Sequence, residues 1–255
     1  MLKLMIYVTS SPVSEGVLSF LASEPGVELS AIVYDERASE ADLATLFEPV
    51  PAQTLRVKGA ELYLPETLAT LAELEIDLGI TAWWNAILKA PALDIPKRGT
   101  LNFHPSLLPY NRGKHTTFWT LVEETPFGVT LHAIDERIDA GKVFCQQRLE
   151  KDWTDTGETL HRRSQEAIVA LFKENFSAIA SGEIQARDVD YTGARVHFSK
   201  EITAASEIDL EKSYSGRELL NLIRARTYPP YPGAWFVDEG ETYEVRVSIT
   251  KKPKV

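Results

Sequence analysis

The sequence predicts an α/β fold: a Rossmann-like, mostly parallel sheet flanked by helices, with a small C-terminal subdomain ending in a β-hairpin. Three observations predict it. Short apolar runs alternate with helix-period segments through the first third, and this βαβ alternation favours parallel strands covered by helices. At 255 residues and 44% hydrophobic, the chain is long and apolar enough to bury a sizeable core. Beyond about residue 190 the pattern changes to a polar connection, a short helix, a proline-rich turn and a period-two strand. The expected division is therefore a main domain over 1–190 and a small subdomain over 191–255.

Residues 3–8 form the first strand, and Ser10 to Ser14 supply the turn and helix start. Val17, Leu18, Phe20 and Leu21 share one helical face until Glu24-Pro25-Gly26 stops it. A strand over 28–34 follows at once. Residues 68–74 read as a short helix, 78–83 as a buried strand, and 100–103 as a strand that delivers His104 at its carboxyl end. Two further strands, 129–133 and 143–149, are joined by the acidic loop 134–142.

Asp155-Thr156-Gly157-Glu158 has the spacing of a capping box. Leu160, Ala167, Ile168, Leu171, Phe172, Phe176 and Ile179 then mark a long amphipathic helix that ends at Gly182. A second helix opens at Ser215 with Glu218 three residues on. Tyr228-Pro229-Pro230-Tyr231-Pro232 fits a rigid hinge better than a ligand for a partner domain or an aromatic wall for a base or sugar. In the last strand Tyr243, Val245, Val247 and Ile249 alternate with polar residues, which predicts one buried face and one wet face.

Charge and cysteine content narrow the function classes. With 27 basic and 37 acidic residues, net charge −10, the chain lacks the global attraction for phosphate backbones that nucleic-acid binders use. No apolar run approaches membrane-spanning length, so no membrane partner is expected. The single Cys145 cannot form an internal disulfide, and the opening residues read as a strand rather than a signal peptide. The expected compartment is the reducing cytoplasm.

Asn102-Phe103-His104-Pro105 and Ile138-Asp139-Ala140-Gly141 carry the candidate chemistry. Proline holds the preceding residue extended, and Asn102 lies two residues before His104 on the same strand face. The amide can donate to a developing oxyanion, the imidazole can move a proton, and the carboxylate can orient the imidazole. Spacing alone leaves other readings open, including a satisfied turn histidine. A metal site from His104, His115, His132 and Asp139 is disfavoured because no two of them have a local chelating spacing, and no metal is expected. Neither a phosphate loop nor a G-x-G-x-x-G run is present.

Residues 101–113, Leu-Asn-Phe-His-Pro-Ser-Leu-Leu-Pro-Tyr-Asn-Arg-Gly, together with Gly128-Val129-Thr130-Leu131-His132 and Ile138-Asp139-Ala140-Gly141, resemble the folate-dependent formyltransferases. Arg224-Ala225 and Tyr231-Pro232-Gly233-Ala234-Trp235 are similar to the start of that family's C-terminal region. The resemblance implies 10-formyltetrahydrofolate as co-substrate and Asn102, His104 and Asp139 as the catalytic trio. It places Trp84, Asn85, Ile87 and Leu88 on one wall of the pterin pocket and Asp135 and Ile138 on the other, with only one of Trp83 and Trp84 in the pocket. Tyr110, Arg112 and Lys114 are the candidate acceptor residues, Arg112 and Lys114 as the local cations that would meet a diphosphate.

Within the family, Tyr110-Asn111-Arg112-Gly113, Phe118-Trp119 and 124–130 look most like the sugar N-formyltransferases, which implies a nucleotide-linked amino sugar as acceptor. Acidity and a short C-terminal segment favour that branch over methionyl-tRNA formyltransferase. Lys114-His115-Thr116 is similar to the glycinamide ribonucleotide branch, which stays a rival, as does a folate- or nucleotide-binding protein without transfer. A terminal hairpin or helix left exposed would serve a homodimer.

Overall fold

The structure is a computed structural model that describes residues 1–253. β1 (Leu2–Val8) is the strand from which the sheet grows in both directions. α1 (Pro12–Ser23) returns the chain to β2 (Val27–Tyr34), and α2 (Glu40–Phe47) leads to β3 (Leu55–Lys58) at one edge. α3 (Pro65–Glu73) carries the chain back across to β4 (Leu78–Ala82), on the other side of β1. After the single turn α4 (Ala90–Leu93) comes β5 (Thr100–His104), parallel to β4. The crossover reverses between β1 and β4, and open α/β sheets bind ligands at the carboxyl ends of strands near such a switch.

The remaining elements of the main body are β6 (Arg112–Gly113), α5 (Thr116–Val122), β7 (Phe127–Ala133), β8 (Val143–Leu149) and α6 (Gly157–Ser181). β7 pairs antiparallel with β5, and β8 antiparallel with β7, completing a seven-stranded sheet in the order β3-β2-β1-β4-β5-β7-β8. β9 (Val196–His197) then returns to pair with β6. α7 (Glu201–Ala205), α8 (Gly216–Arg226) and the hairpin β10 (Ala234–Asp238) and β11 (Glu241–Val245) close the chain.

β1 shows why the centre reads as a continuous apolar run. Leu4, Ile6 and Val8 join one core layer with α1 and α6, while Met5 and Tyr7 join the opposite layer with Leu71 and Ala92. Both faces are covered, so no polar alternation is needed. A third core unites α5, α6 and α8 through Phe118, Leu160, Leu222 and Ile223. The C-terminal segment is therefore fastened to the main body by apolar packing.

Three expectations move. The capping box of α6 lies one residue later than the sequence spacing suggests: Thr156 caps the backbone of Thr159, and the Thr159 hydroxyl caps Thr156 in return. Asp155 is engaged elsewhere, accepting from the Asp152 N–H and from Arg163. The strand expected over 78–83 ends at Ala82, because Trp83 takes φ +66 and turns the chain. The terminal strand stops at Val245, and Tyr243 is 47% exposed where a buried face was expected. α8 is capped as expected by Ser215 and Glu218.

Candidate active site

β5 places Asn102 and His104 on one face, two residues apart, while Phe103 points into the opposite layer against Phe172. Strand pairing supplies their neighbours. Thr81 of β4 lies beside Asn102 on one flank and His132 of β7 on the other. The Thr81 hydroxyl donates to Asn102 Oδ1, which fixes the amide so that its nitrogen faces His132 and Asp139. Asn102 Nδ2 then donates to His132 Nε2 at 2.9 Å, while His132 Nδ1–H donates to the Ala133 carbonyl at 2.8 Å. One amide N–H is thereby anchored. The other reaches Asp139 Oδ1 at 3.4 Å, a long contact that a better acceptor can displace.

Thr81 and His132 are thus positioning residues for Asn102. Thr81→Val leaves Oδ1 without its donor and lets the amide turn, so kcat should fall about tenfold with KM nearly unchanged, and Thr81→Ser should restore it. Steady-state assay of the three proteins checks this. An unchanged kcat in the valine variant would remove the positioning role.

His104 is buried, 3% exposed, and donates Nε2–H to the Asn111 carbonyl at 3.1 Å. Its Nδ1 faces Asp139 Oδ2 at 3.6 Å. Asn111 is held in turn by donating to the Thr120 and Thr125 hydroxyls. Asp139 sits at φ +44, a left-handed conformation that aspartate tolerates better than branched residues do. It accepts the Gly113 N–H on Oδ2 at 2.9 Å, and its Oδ1 lies 3.6 Å from His132 Nε2.

Two glycines allow this convergence. Gly113 takes φ +88, and a Cβ there would meet the His197 carbonyl at 2.1 Å, so only glycine lets β9 cover the loop that holds Asp139. A Cβ on Gly141 would meet the Ala133 carbonyl oxygen at 1.8 Å, which explains the glycine two residues after Asp139.

Burial pushes His104 below its ordinary value of 6.5; the Asp139 charge and the Asn111 bond oppose this, while His132 and Lys114 add to it. The net direction is down, so the ring is neutral at pH 7. Burial alone would raise Asp139, but the facing His104, His132 and the Gly113 N–H outweigh it and hold the carboxyl well below its usual range. The Gly113 bond persists with the ring uncharged, so a neutral imidazole and an ionised carboxylate coexist.

The unfolded chain binds a proton at His104 near 6.5, whereas the folded ring binds one only at lower pH. Stability therefore falls as pH drops below 6.5. Thermal midpoints at about pH 7.5 and 5.5 should show a smaller acid loss in His104→Gln than in the native chain. Equal losses would assign the effect to His115 and His161, which desolvation also pushes down.

The other sequence-predicted residues separate into engaged and open groups. Arg112 donates Nε and Nη2 to the Ile138 carbonyl and Nη1 to the Ala194 carbonyl, and it lies over the Tyr191 ring. Lys114 donates to the Asn85 carbonyl at 3.1 Å, joining the two loops that flank the trio. Asp135 pairs with Arg137. Leu88 is buried in the second core layer, whereas Ile87 is 78% exposed and Tyr110 and Ile138 are also exposed.

Trp83 and Trp84 face opposite core layers, and the buried Trp84 Nε1–H has no hydrogen-bond acceptor among the described residues. His104, His132 and Asp139 bring three ligand-type atoms within 4.8 Å of one another. His115 lies outside that group, near Lys114 and Arg226.

A doubly covered, mostly parallel sheet that presents an amide donor, a buried imidazole and a carboxylate at its carboxyl edge is a Rossmann-like fold with a candidate acid–base site. The family model described as formyl transferase matches residues 28–175, and the chain belongs to that family. The N-formyltransferase dimerization C-terminal domain matches residues 201–251. The fold is shared with a 4-N formyltransferase from Francisella tularensis, 22% identical, with 98% of each chain covered and TM-score 0.80. A sugar N-formyltransferase from Shewanella is 18% identical over 99% of this chain and 100% of that one, TM-score 0.82. An N-formyltransferase from Helicobacter canadensis, solved with folinic acid and dTDP-3-aminofucose, is 20% identical over 94% of this chain and 85% of that one, TM-score 0.72.

Proposed function

We propose that this chain transfers the formyl group of 10-formyltetrahydrofolate to the amine of a nucleotide-linked amino sugar. The observation that carries the reading is a displaceable Asn102 N–H beside a neutral, buried His104 and an ionised Asp139, in a formyl transferase chain. The acceptor amine attacks the formyl carbon, and the tetrahedral oxyanion takes the Asn102 Nδ2–H that reached Asp139. Asp139 is the more exposed member of its pair with His104 and meets the amine proton first. His104 Nδ1 is the stronger base, so the proton rests there and the imidazolium forms against the carboxylate. Collapse of the intermediate breaks the carbon–N10 bond, and that proton goes to the departing tetrahydrofolate nitrogen.

The formyl transferase match supports a heterocycle beside the loop of Trp84, Asn85, Ile87 and Leu88, with Asp135 and Ile138 opposite. Tyr110, Arg112 and Lys114 line the acceptor side, Arg112 chiefly by bracing the Ile138 carbonyl next to Asp139. Folinic acid and dTDP-3-aminofucose in the Helicobacter canadensis relative support this pairing of donor and acceptor. The C-terminal match and the half-exposed Val237 and Tyr243 of the hairpin support a homodimer. Among the described residues no helix is long and apolar enough to cross a membrane.

Purified protein should formylate dTDP- or UDP-linked amino sugars in the presence of 10-formyltetrahydrofolate, with product identified by mass spectrometry. Product from glycinamide ribonucleotide or methionyl-tRNA alone would overturn the acceptor assignment.

A further inference from the structure

The segment after α6 runs back over the loop that carries Asp139 and is fastened on both sides of it. Arg187 exchanges backbone hydrogen bonds with Val143 at 2.8 and 2.9 Å, and β9 pairs with β6, where the Lys114 N–H donates to the His197 carbonyl at 2.9 Å. His197 anchors that second fastening. Its buried ring stacks on Trp119 at 3.9 Å between centroids, with Glu123 and Glu201 facing its two nitrogens at 3.4 and 3.5 Å. Between the two fastenings the chain delivers the half-buried ring of Tyr191 to the Asp139 loop.

Three carbonyls flanking Asp139 end on that tyrosine or on cations that lie over it. The Tyr191 hydroxyl donates to the Gly141 carbonyl at 2.9 Å. Arg137 donates to the Ala140 carbonyl at 2.8 Å, and Arg112 donates Nε and Nη2 to the Ile138 carbonyl at 2.9 and 2.7 Å. Both guanidinium groups lie over the Tyr191 ring, at 5.3 Å for Arg112 and 6.0 Å for Arg137. The charged groups facing the hydroxyl are Arg112, Arg137, Asp135 and Asp139, and burial outweighs the two cations and raises it above its ordinary value of 10.0, so it is a donor at neutral pH. Asp139 itself sits at φ +44, and a non-glycine residue persists there when its surroundings over-determine it. Tyr191 is common to all three holds.

We propose that Tyr191 is a positioning residue for formyl transfer: its hydroxyl on the Gly141 carbonyl and its ring against Arg112 and Arg137 fix the loop so that the Asp139 carboxylate meets the Gly113 N–H and faces His104. The assignment rests on the proposed part of Asp139 in transfer, but the placement of the carboxylate is measurable without turnover. The polar connection that begins near residue 190 is then part of the site as well as a link to the C-terminal segment. Arg112 works in the same clamp, since its guanidinium is engaged by the Ile138 and Ala194 carbonyls. Without the clamp the trio keeps its chemistry, while the loop is free to carry Asp139 away from Gly113 and His104. The cost therefore falls on kcat and passes through Asp139.

Amide hydrogen exchange of the full-length chain, followed by NMR, reads the placement directly, because the Gly113 N–H is held by Asp139 Oδ2 and the neighbouring Lys114 N–H by the His197 carbonyl. Tyr191→Phe removes the hydroxyl and keeps the ring, and it should speed Gly113 exchange about fivefold with Lys114 unchanged. Tyr191→Leu removes both and should speed it about thirtyfold. In steady-state assays kcat should fall by similar factors, with KM and the folinic acid Kd within about twofold of native, and Tyr191→Leu should cost less than about threefold more in an Asp139→Asn background. Native-like Gly113 exchange in Tyr191→Phe overturns the role, as does equal acceleration at Gly113 and Lys114 in that variant, which would make Tyr191 a fastener of the segment only. An undiminished effect of Tyr191→Leu on top of Asp139→Asn overturns it too. Selective acceleration at Gly113, with no formyl transfer by the native chain to any acceptor, upholds the positioning of Asp139 and sinks the transfer reading instead.

Discussion

His104→Ala lowers kcat for formyl transfer by about 10³-fold, the scale expected when a positioned proton acceptor is lost. The buried ring turns Nδ1 to Asp139, is neutral at pH 7 and is a stronger base than that carboxylate. Removing it leaves the Asn102 donor in place through Thr81 and His132, so part of the oxyanion stabilisation survives and the loss is not total. The same change leaves the Asn111 carbonyl without its partner and opens a small cavity, costing about 1–3 kcal/mol of stability. Single-turnover transfer, folinic acid titration and a melting curve separate these effects. Native turnover by a folded His104→Ala protein would remove His104 from the mechanism.

Asp139→Asn has the second largest effect, about 10²-fold in kcat, because the imidazolium formed during transfer loses its counter-charge while the side-chain shape is kept. The pH profile carries a distinct signature. Asp139 opposes the burial that pushes His104 below 6.5, so its removal lowers His104 further and moves the acid limb of kcat/KM to lower pH. The native limb already lies below 6.5 for the same reason. A limb that moved upward, or did not move, would exclude Asp139 as the electrostatic partner of His104. The native carboxyl titrates below 3.8, so its stabilising contribution is present above that value and is lost as pH falls beneath it. The asparagine variant lacks this contribution throughout.

The central strands were legible because each is an apolar run bounded by turn residues, and β1, β2, β4, β5, β7 and β8 lie close to their expected places. β3 and α2 were not: β3 is a four-residue edge strand with only Val57 buried, and α2 buries only Leu46. α5 was missed for the opposite reason. Thr116 to Leu121 are buried on every side, so the helix has no amphipathic period, and its threonines are poor helix formers. The alternation of the terminal segment holds from Val245 on, where Val245, Val247 and Ile249 are half-buried between exposed neighbours and the two valines pack on the third core, and it fails at Tyr243, which is open in the single chain.

In the site, Asn102, His104 and Asp139 were legible from residue type and from the surrounding motifs. His132 had a weaker signal: it lies at the end of an apolar strand beside the matched loop, yet its pairing with Asn102 is a property of β5–β7 register. Thr81 had none, since one threonine in a buried run looks like any other. By itself the sequence determined the central strands, which face of β5 carries the amide and imidazole, and what chemistry those groups offer, because period and residue type are local. Only the tertiary structure decided the state of those groups. Hydrogen-bond direction, burial and the approach of Gly113 to Asp139 arise from segments far apart in the chain, and these leave one amide N–H in a long, displaceable contact and keep His104 neutral.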